Sequence, residues 1–261
     1  MLYNLIDSYR DYLQDKYTRE TARTYWGHIK PLLKTQSINL TADNFDTEKV
    51  LDILADVKYK NNFAKYKNAL FRFCEFLGIK LEIKHLNKIK ELEKKTKKKY
   101  RKLKAIDFEA VNKKIKGLRN KKLRLSYQTM LATGLRVGEL AGISKDDCLV
   151  SADEIHLYFI AKGGEPSTVA ISKKENAKLF SDLIKLINAT QHKIFYSVSY
   201  LQPNAKKLGF GCHDLRRIYA RQEYQKTKSK EAVRIKLRHS DIKTTNIYLK
   251  NKIKNIKGGT T

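Results

Sequence analysis

The chain has 261 residues, with 55 Lys and Arg against 27 Asp and Glu, giving a formal net charge of +28. A 31% charged fraction beside 41% hydrophobic residues fits one or two folded domains carrying a strong positive field and excludes wholesale disorder. No apolar run approaches the roughly 20 residues needed to cross a bilayer, and the N-terminus lacks the basic start, apolar stretch and cleavage site of a secretory signal, so the cytoplasm is the expected compartment.

Cys74, Cys148 and Cys212 are scattered and never form a CxxC pair, which argues against a disulfide framework or a structural zinc site. Cys212 and His213 are adjacent potential ligands, but no ligand pair at the usual spacing completes a metal shell. The phosphate-cradling GxxxxGK[ST] pattern is missing. Neither metal nor cofactor is expected. A basic chain of this kind is a nucleic-acid enzyme, a passive nucleic-acid binder or a peripheral membrane protein.

In chain order, Leu2, Leu5, Ile6, Tyr9, Tyr12 and Leu13 repeat at three and four and predict a first amphipathic helix. A second starts near Thr18 or Thr21 and presents Ala22, Tyr25, Trp26, Ile29 and Leu33, with Pro31 expected to bend or shorten it. Residues 46–57 predict a third. Residues 62–77 predict a fourth, with Phe63, Tyr66, Ala69, Leu70, Phe73 and Leu77 on one face and Gly78 as its stop. These stripes predict a four-helix core over residues 1–79.

Between residues 80 and 104 the composition turns basic, and residues 94–104 hold Lys94, Lys95, Lys97, Lys98, Lys99, Arg101, Lys102 and Lys104 with no acid. Such a run is either a solvated linker or a strip laid along a phosphate backbone, where each neutralised phosphate releases counterions. Both readings place a domain boundary here.

A second unit is expected over residues 105–261. Phe108, Val111, Ile115 and Leu118 predict a short helix, and Leu123, Tyr127, Met130 and Leu131 another that runs into Gly134. Residues 155–161 and 167–171 are rich in strand formers and flank Lys162-Gly163-Gly164, a predicted β-hairpin. Helices are then expected over 173–188, 199–208, 213–226 and 230–238, with a last one around Thr245. The expected fold class is mainly α with a small β-sheet or hairpin.

Three segments carry chemistry. In Thr133-Gly134-Leu135-Arg136-Val137-Gly138-Glu139-Leu140 an arginine opens a helix, where guanidinium, free N–H groups and helix dipole suit a phosphate oxygen; pairing with Glu139 is the alternative. His213 and Arg216 lie three apart, on one helical face, able to hold two oxygens of one phosphodiester or simply to be solvated. His239 and Tyr248 follow, nine positions apart.

The order of these residues resembles the tyrosine recombinase (phage integrase) family: an arginine in TGLRxGEL, a lysine on a hairpin, HxLR, a second histidine, and a tyrosine nine residues later. The resemblance covers about residues 102–250, and a helical DNA-binding unit before it fits the family's two-domain plan. It implies that Arg136 and Arg216 bind the nonbridging oxygens of the scissile phosphate. His213 and His239 would position and donate to that group, Lys162 would protonate the leaving 5′ oxygen, and Tyr248 would be the nucleophile. The partner implied is double-stranded DNA bearing specific recombination sites, acted on by a homotetramer that is a monomer when free. Cleavage through a 3′-phosphotyrosyl intermediate and a Holliday junction would serve integration or excision of a mobile element, or resolution of DNA dimers. Type IB topoisomerase-like relaxation and a noncatalytic basic DNA-binding protein are the rival readings. The second has no need of the full residue set.

Two departures stand out. Arg238 occupies the place before the second histidine where the family usually has glycine. Only 13 residues follow Tyr248, fewer than the C-terminal docking helix of many members needs, and no additional N-terminal arm-binding domain is expected.

Overall fold

The computed structural model describes residues 2–34, 41, 43–97, 105–250 and 253–254. The chain divides into two compact units, residues 1–102 and 103–261.

The first unit holds α1 (Leu2–Lys16), α2 (Arg19–Leu33), α3 (Thr47–Ala55), α4 (Lys60–Leu77) and α5 (Ile83–Lys95). Its core gathers Tyr9, Leu13, Ile29, Phe63, Leu70 and Phe73 from the expected stripes, together with Leu51 and Leu54 of α3 and Leu32, which is buried where the sequence pointed to its neighbour Leu33. Tyr9 meets Phe73 edge-on at 4.9 Å, the arrangement favoured by the ring quadrupoles. Asp46 caps α3 by accepting from the Lys49 N–H at 3.0 Å, and α4 stops at Gly78 with φ +70°. Pro31 falls in the last turn of α2, which ends two residues later.

The fifth helix departs from the sequence expectation, which assigned residues 80–104 to a linker. α5 buries Ile89 and packs Leu92 against the core, while Lys88 reaches Glu48 at 2.6 Å and Glu93 accepts from Lys67 at 2.6 Å. Its apolar residues recur at helical spacing inside a lysine-rich segment, so charge density masked the period. Lys98, Lys99, Arg101, Lys102 and Lys104 of the expected basic strip lie outside the described residues.

The second unit is mainly helical around a small sheet. It comprises β1 (Ile106–Asp107), α6 (Phe108–Lys116), α7 (Lys121–Thr133), α8 (Val137–Gly142), β2 (Cys148–Val150), β3 (Glu154–Ile160) and β4 (Pro166–Ser172). There follow α9 (Lys173–Asn188), α10 (Val198–Lys207), α11 (Cys212–Thr227), α12 (Lys230–Lys236), α13 (Ile242–Lys250) and β5 (Ile253–Lys254). Strands β2, β3 and β4 form one antiparallel sheet in that order, in which Leu157 faces Val169 and Ile160 faces Pro166. The expected hairpin is therefore present, widened by β2. β1 and β5 pair in parallel.

The hairpin turn is closed by the Ala161 N–H donating to the Glu165 carbonyl at 2.8 Å, and Gly163 and Gly164 take φ of +111° and +92°. That backbone is open to glycine and strained for other residues, so Lys162 sits on a tip whose shape its two neighbours allow. α7 is the central pillar: Leu125, Tyr127 and Met130 are buried in the main core with Leu140, Leu157, Leu183, Leu215 and Ile218. At its end Gly134 has φ +66°, and a Cβ there would run into the Tyr219 ring on α11. This close approach fixes α7 against α11 where the two arginines of the sequence motifs emerge.

Candidate active site

Arg136 is the N-cap of α8. Its backbone N–H donates to Glu139 Oε2 at 2.7 Å and its Nη1 to Oε1 at 2.5 Å, so one carboxylate caps the helix and orients the guanidinium together. The ion pair with Glu139 is formed, and the Arg136 side chain keeps partial exposure. Burial pushes the Glu139 carboxyl up, but the Arg136 hydrogen bonds and charge outweigh it and hold the group below the usual range.

Arg216, on α11, is fully buried. Its Nη1 donates to the Gly134 carbonyl and its Nη2 to the Leu237 carbonyl, which ties α11 to the end of α7 and to the end of α12. Its Nη1 also lies 3.8 Å from Glu139 Oε2, whereas its Nε has no hydrogen-bond partner among the described residues. Burial and then the Arg136 charge lower its pKa to about 10, which leaves it cationic at neutral pH.

His213 starts the same helix, where Asp214 accepts from the Gly211 N–H at 2.8 Å and from Arg217 at 2.8 Å. Desolvation by its surroundings, then the Arg217, Arg216 and Arg136 charges, push its pKa down. A neutral ring results. Its Nδ1 lies 3.5 Å from the Tyr248 hydroxyl. Tyr248 stands on α13, with its ring edge-on to His239 at 5.0 Å and the Arg217 guanidinium 6.0 Å from the ring centre. Arg221 anchors this helix by donating to the Leu249 carbonyl at 2.6 Å.

His239 lies between α12 and α13, and its Nδ1 is 2.9 Å from the hydroxyl of the fully buried Thr245. At the departure from glycine, Arg238 itself takes φ +54°, the left-handed conformation that favours glycine. Thus Arg136, His213, Arg216, His239 and Tyr248 come together. Lys162 does not join them; it is exposed on the β3–β4 turn.

Glu139, Thr245 and Arg217 are parts of this site that the motif reading did not assign. Thr245 was accessible from spacing, since it precedes Tyr248 by three on one helix and so faces the same way. Arg217 gave no distinguishing signal among 55 Lys and Arg.

Burial, followed by the Arg216, Arg136, Arg238 and Arg234 charges, pushes His239 from 6.5 down to about 4. The unfolded chain therefore takes up this proton first as pH falls, so stability is fullest above about 6.5 and drains away toward about 4. At about 1.4 kcal/mol per unit the loss is of order 3 kcal/mol. Urea unfolding at pH 7 and pH 4.5 is expected to show this difference, reduced in His239→Asn. An unreduced difference in the variant would remove His239 as its source.

Among the described residues no helix is long and apolar enough to cross a membrane. No curated protein matches the chain. Similar solved structures include a lambda integrase tetramer bound to a Holliday junction, with a TM-score of 0.62 and 16% identity over 96% of this chain and 78% of that one. The Tn1549 transposon integrase in complex with circular intermediate DNA has a TM-score of 0.63 and 13% identity over 94% of each chain. The XerH site-specific recombinase bound to its difH substrate has a TM-score of 0.60 and 17% identity, covering 87% of this chain and 74% of that one. At these identities the likeness establishes the fold. The family model of the phage integrases matches residues 96–254, well over half the chain, and the chain belongs to that family, the tyrosine recombinases.

Proposed function

We propose that the protein is a site-specific DNA recombinase that cuts and rejoins duplex DNA through a 3′-phosphotyrosyl intermediate and a Holliday junction, moving a mobile element or resolving DNA dimers. The observation that carries this reading is the gathering of Tyr248, two histidines and two arginines, with the Tyr248 hydroxyl 3.5 Å from His213 Nδ1.

In this mechanism Tyr248 Oη attacks the scissile phosphorus, the bond to the 5′ oxygen breaks, and Lys162 gives that oxygen its proton. His213 Nδ1 takes the phenolic proton. A ring that accepts at Nδ1 carries its own proton on Nε2, which is then free to donate to a phosphate oxygen. His239 does likewise when Thr245 donates to its Nδ1. Arg136 and Arg216 supply fixed positive charge to the nonbridging oxygens, where charge builds up during the reaction, so the site needs no metal for that task. The phosphotyrosyl bond preserves the diester linkage, and a 5′ hydroxyl from a second strand reverses the step.

In the same reading the first unit, residues 1–102 with α5 in its core, is a core DNA-binding domain, and the second, residues 103–261, is the catalytic domain. Two paired sites call for four protomers, whereas a charge of +28 opposes self-association until DNA neutralises it.

The direct test is covalent capture. Wild-type protein incubated with nicked duplexes of random core sequence should retain a subset sharing one motif, linked 3′ to tyrosine. No adduct from any core would sink the reading.

Lys162 has a separable test, since its proposed role concerns the leaving group alone. Lys162→Ala should lose cleavage on a captured duplex and regain it when the scissile 5′ oxygen is replaced by sulfur, which departs without protonation. Absence of rescue would reduce Lys162 to a DNA contact.

A further inference from the structure

Arg238 is held in a conformation that its side chain does not favour. It is the residue after the C-cap of α12: its N–H donates to the Ile235 carbonyl at 2.9 Å and the His239 N–H to the Arg234 carbonyl at 3.1 Å. This pair of bonds ends a helix in the left-handed region, a place where glycine avoids the clash between Cβ and backbone. Lys228 is the other non-glycine residue with positive φ among the described residues, and it is exposed. Arg238 instead turns inward. Its guanidinium lies 4.8 Å from the centre of the Phe159 ring on β3 and 3.4 Å from Glu139 Oε2.

Glu139 is the point of convergence. Its buried carboxylate receives the Arg136 backbone N–H and guanidinium, stands 3.8 Å from Arg216, and is also met by Arg238. Its two oxygens are divided among these arginines, Arg238 and Arg216 lying toward Oε2 while the Arg136 guanidinium takes Oε1. Without Arg238, the carboxylate would act more strongly on Arg136 and draw that guanidinium away from an incoming phosphate.

We propose that Arg238 is a positioning residue: by sharing Glu139 with Arg136, it leaves Arg136 set for the phosphate. The inference rests on the recombinase reading.

The test uses single-turnover trapping by the full chain on the nicked duplex that captures wild type best. Arg238→Gly relieves the backbone and removes the guanidinium, so thermal stability and duplex affinity should hold while the trapping rate falls about tenfold, as for loss of a charge-assisted hydrogen bond. Arg238→Lys should recover part of the rate. In a Glu139→Gln background, adding Arg238→Gly should cost less than about twofold, because the shared carboxylate is already neutral. Should the glycine variant fail to fold, Arg238→Asn, which tolerates the left-handed region, provides the same comparison.

Trapping by Arg238→Gly at the wild-type rate would overturn the proposal, as would full additivity with Glu139→Gln. Equal loss of affinity for captured and random duplexes would make Arg238 a direct backbone contact and also overturn it. Wild-type protein that forms no adduct fails the recombinase reading itself, and this inference with it; a wild-type adduct with an indifferent Arg238 fails the inference alone.

Discussion

Tyr248→Phe is expected to bind the captured duplex within a few-fold of wild type and to form no covalent adduct. The substitution removes one hydroxyl from a half-buried ring whose packing is shared by His239 and Arg217, so the loss isolates the nucleophile. An unperturbed phenol has a pKa near 10 and needs activation at neutral pH. Among the tyrosines, Tyr248 has its hydroxyl beside His213. Tyr219 lies on the same helix as His213 and Arg216, but burial, then the Glu223 carboxylate, push its phenol well above the usual range, and its ring is spent packing against Gly134. Mass-spectrometric mapping of the wild-type adduct should find Tyr248. An adduct on Tyr219 or Tyr224, or trapping by the phenylalanine variant, would move the nucleophile elsewhere.

The sequence disclosed most of this architecture because period and punctuation agree: stripes at three and four are closed by Gly78 and Gly134, and strand formers flank Lys162-Gly163-Gly164. α5 was missed because its few apolar residues are surrounded by lysine. β2 was missed because three residues are too few to show alternation, and Leu149 and Val150 are exposed. The order of Arg136, His213, Arg216, His239 and Tyr248 was visible along the chain, but their gathering depends on long-range packing, such as the Tyr219 ring on Gly134. Local spacing does not encode that packing. Arg238 shows the same limit from the other side. Sequence marked it as an unusual occupant, whereas its link to Glu139, 99 positions away, emerges only in the fold.

Arg136→Lys and Arg216→Lys are both expected to lower the trapping rate by about 10²–10³, the usual cost of losing a donor aimed at developing charge. They should nevertheless differ in a second measurement. Arg136 is partly exposed and leans on Glu139, so a lysine there keeps a charge near the carboxylate and unfolding by urea should change little. Arg216 is buried, and its two guanidinium branches reach the Gly134 and Leu237 carbonyls on separate segments. A single ammonium cannot span both, and one carbonyl is left without its donor. Since a buried hydrogen bond to a charged group contributes about 1.5–3 kcal/mol, Arg216→Lys should lose about 2 kcal/mol of stability as well as rate. Rates are therefore compared at saturating duplex under conditions where urea titration shows each variant folded. If Arg136→Lys traps DNA near the wild-type rate, its guanidinium serves the ion pair with Glu139 and not the phosphate. If Arg216→Lys loses stability but keeps its rate when folded, Arg216 is a brace between α11, α7 and α12, and the charge that stabilises the reacting phosphate must come from elsewhere in the site.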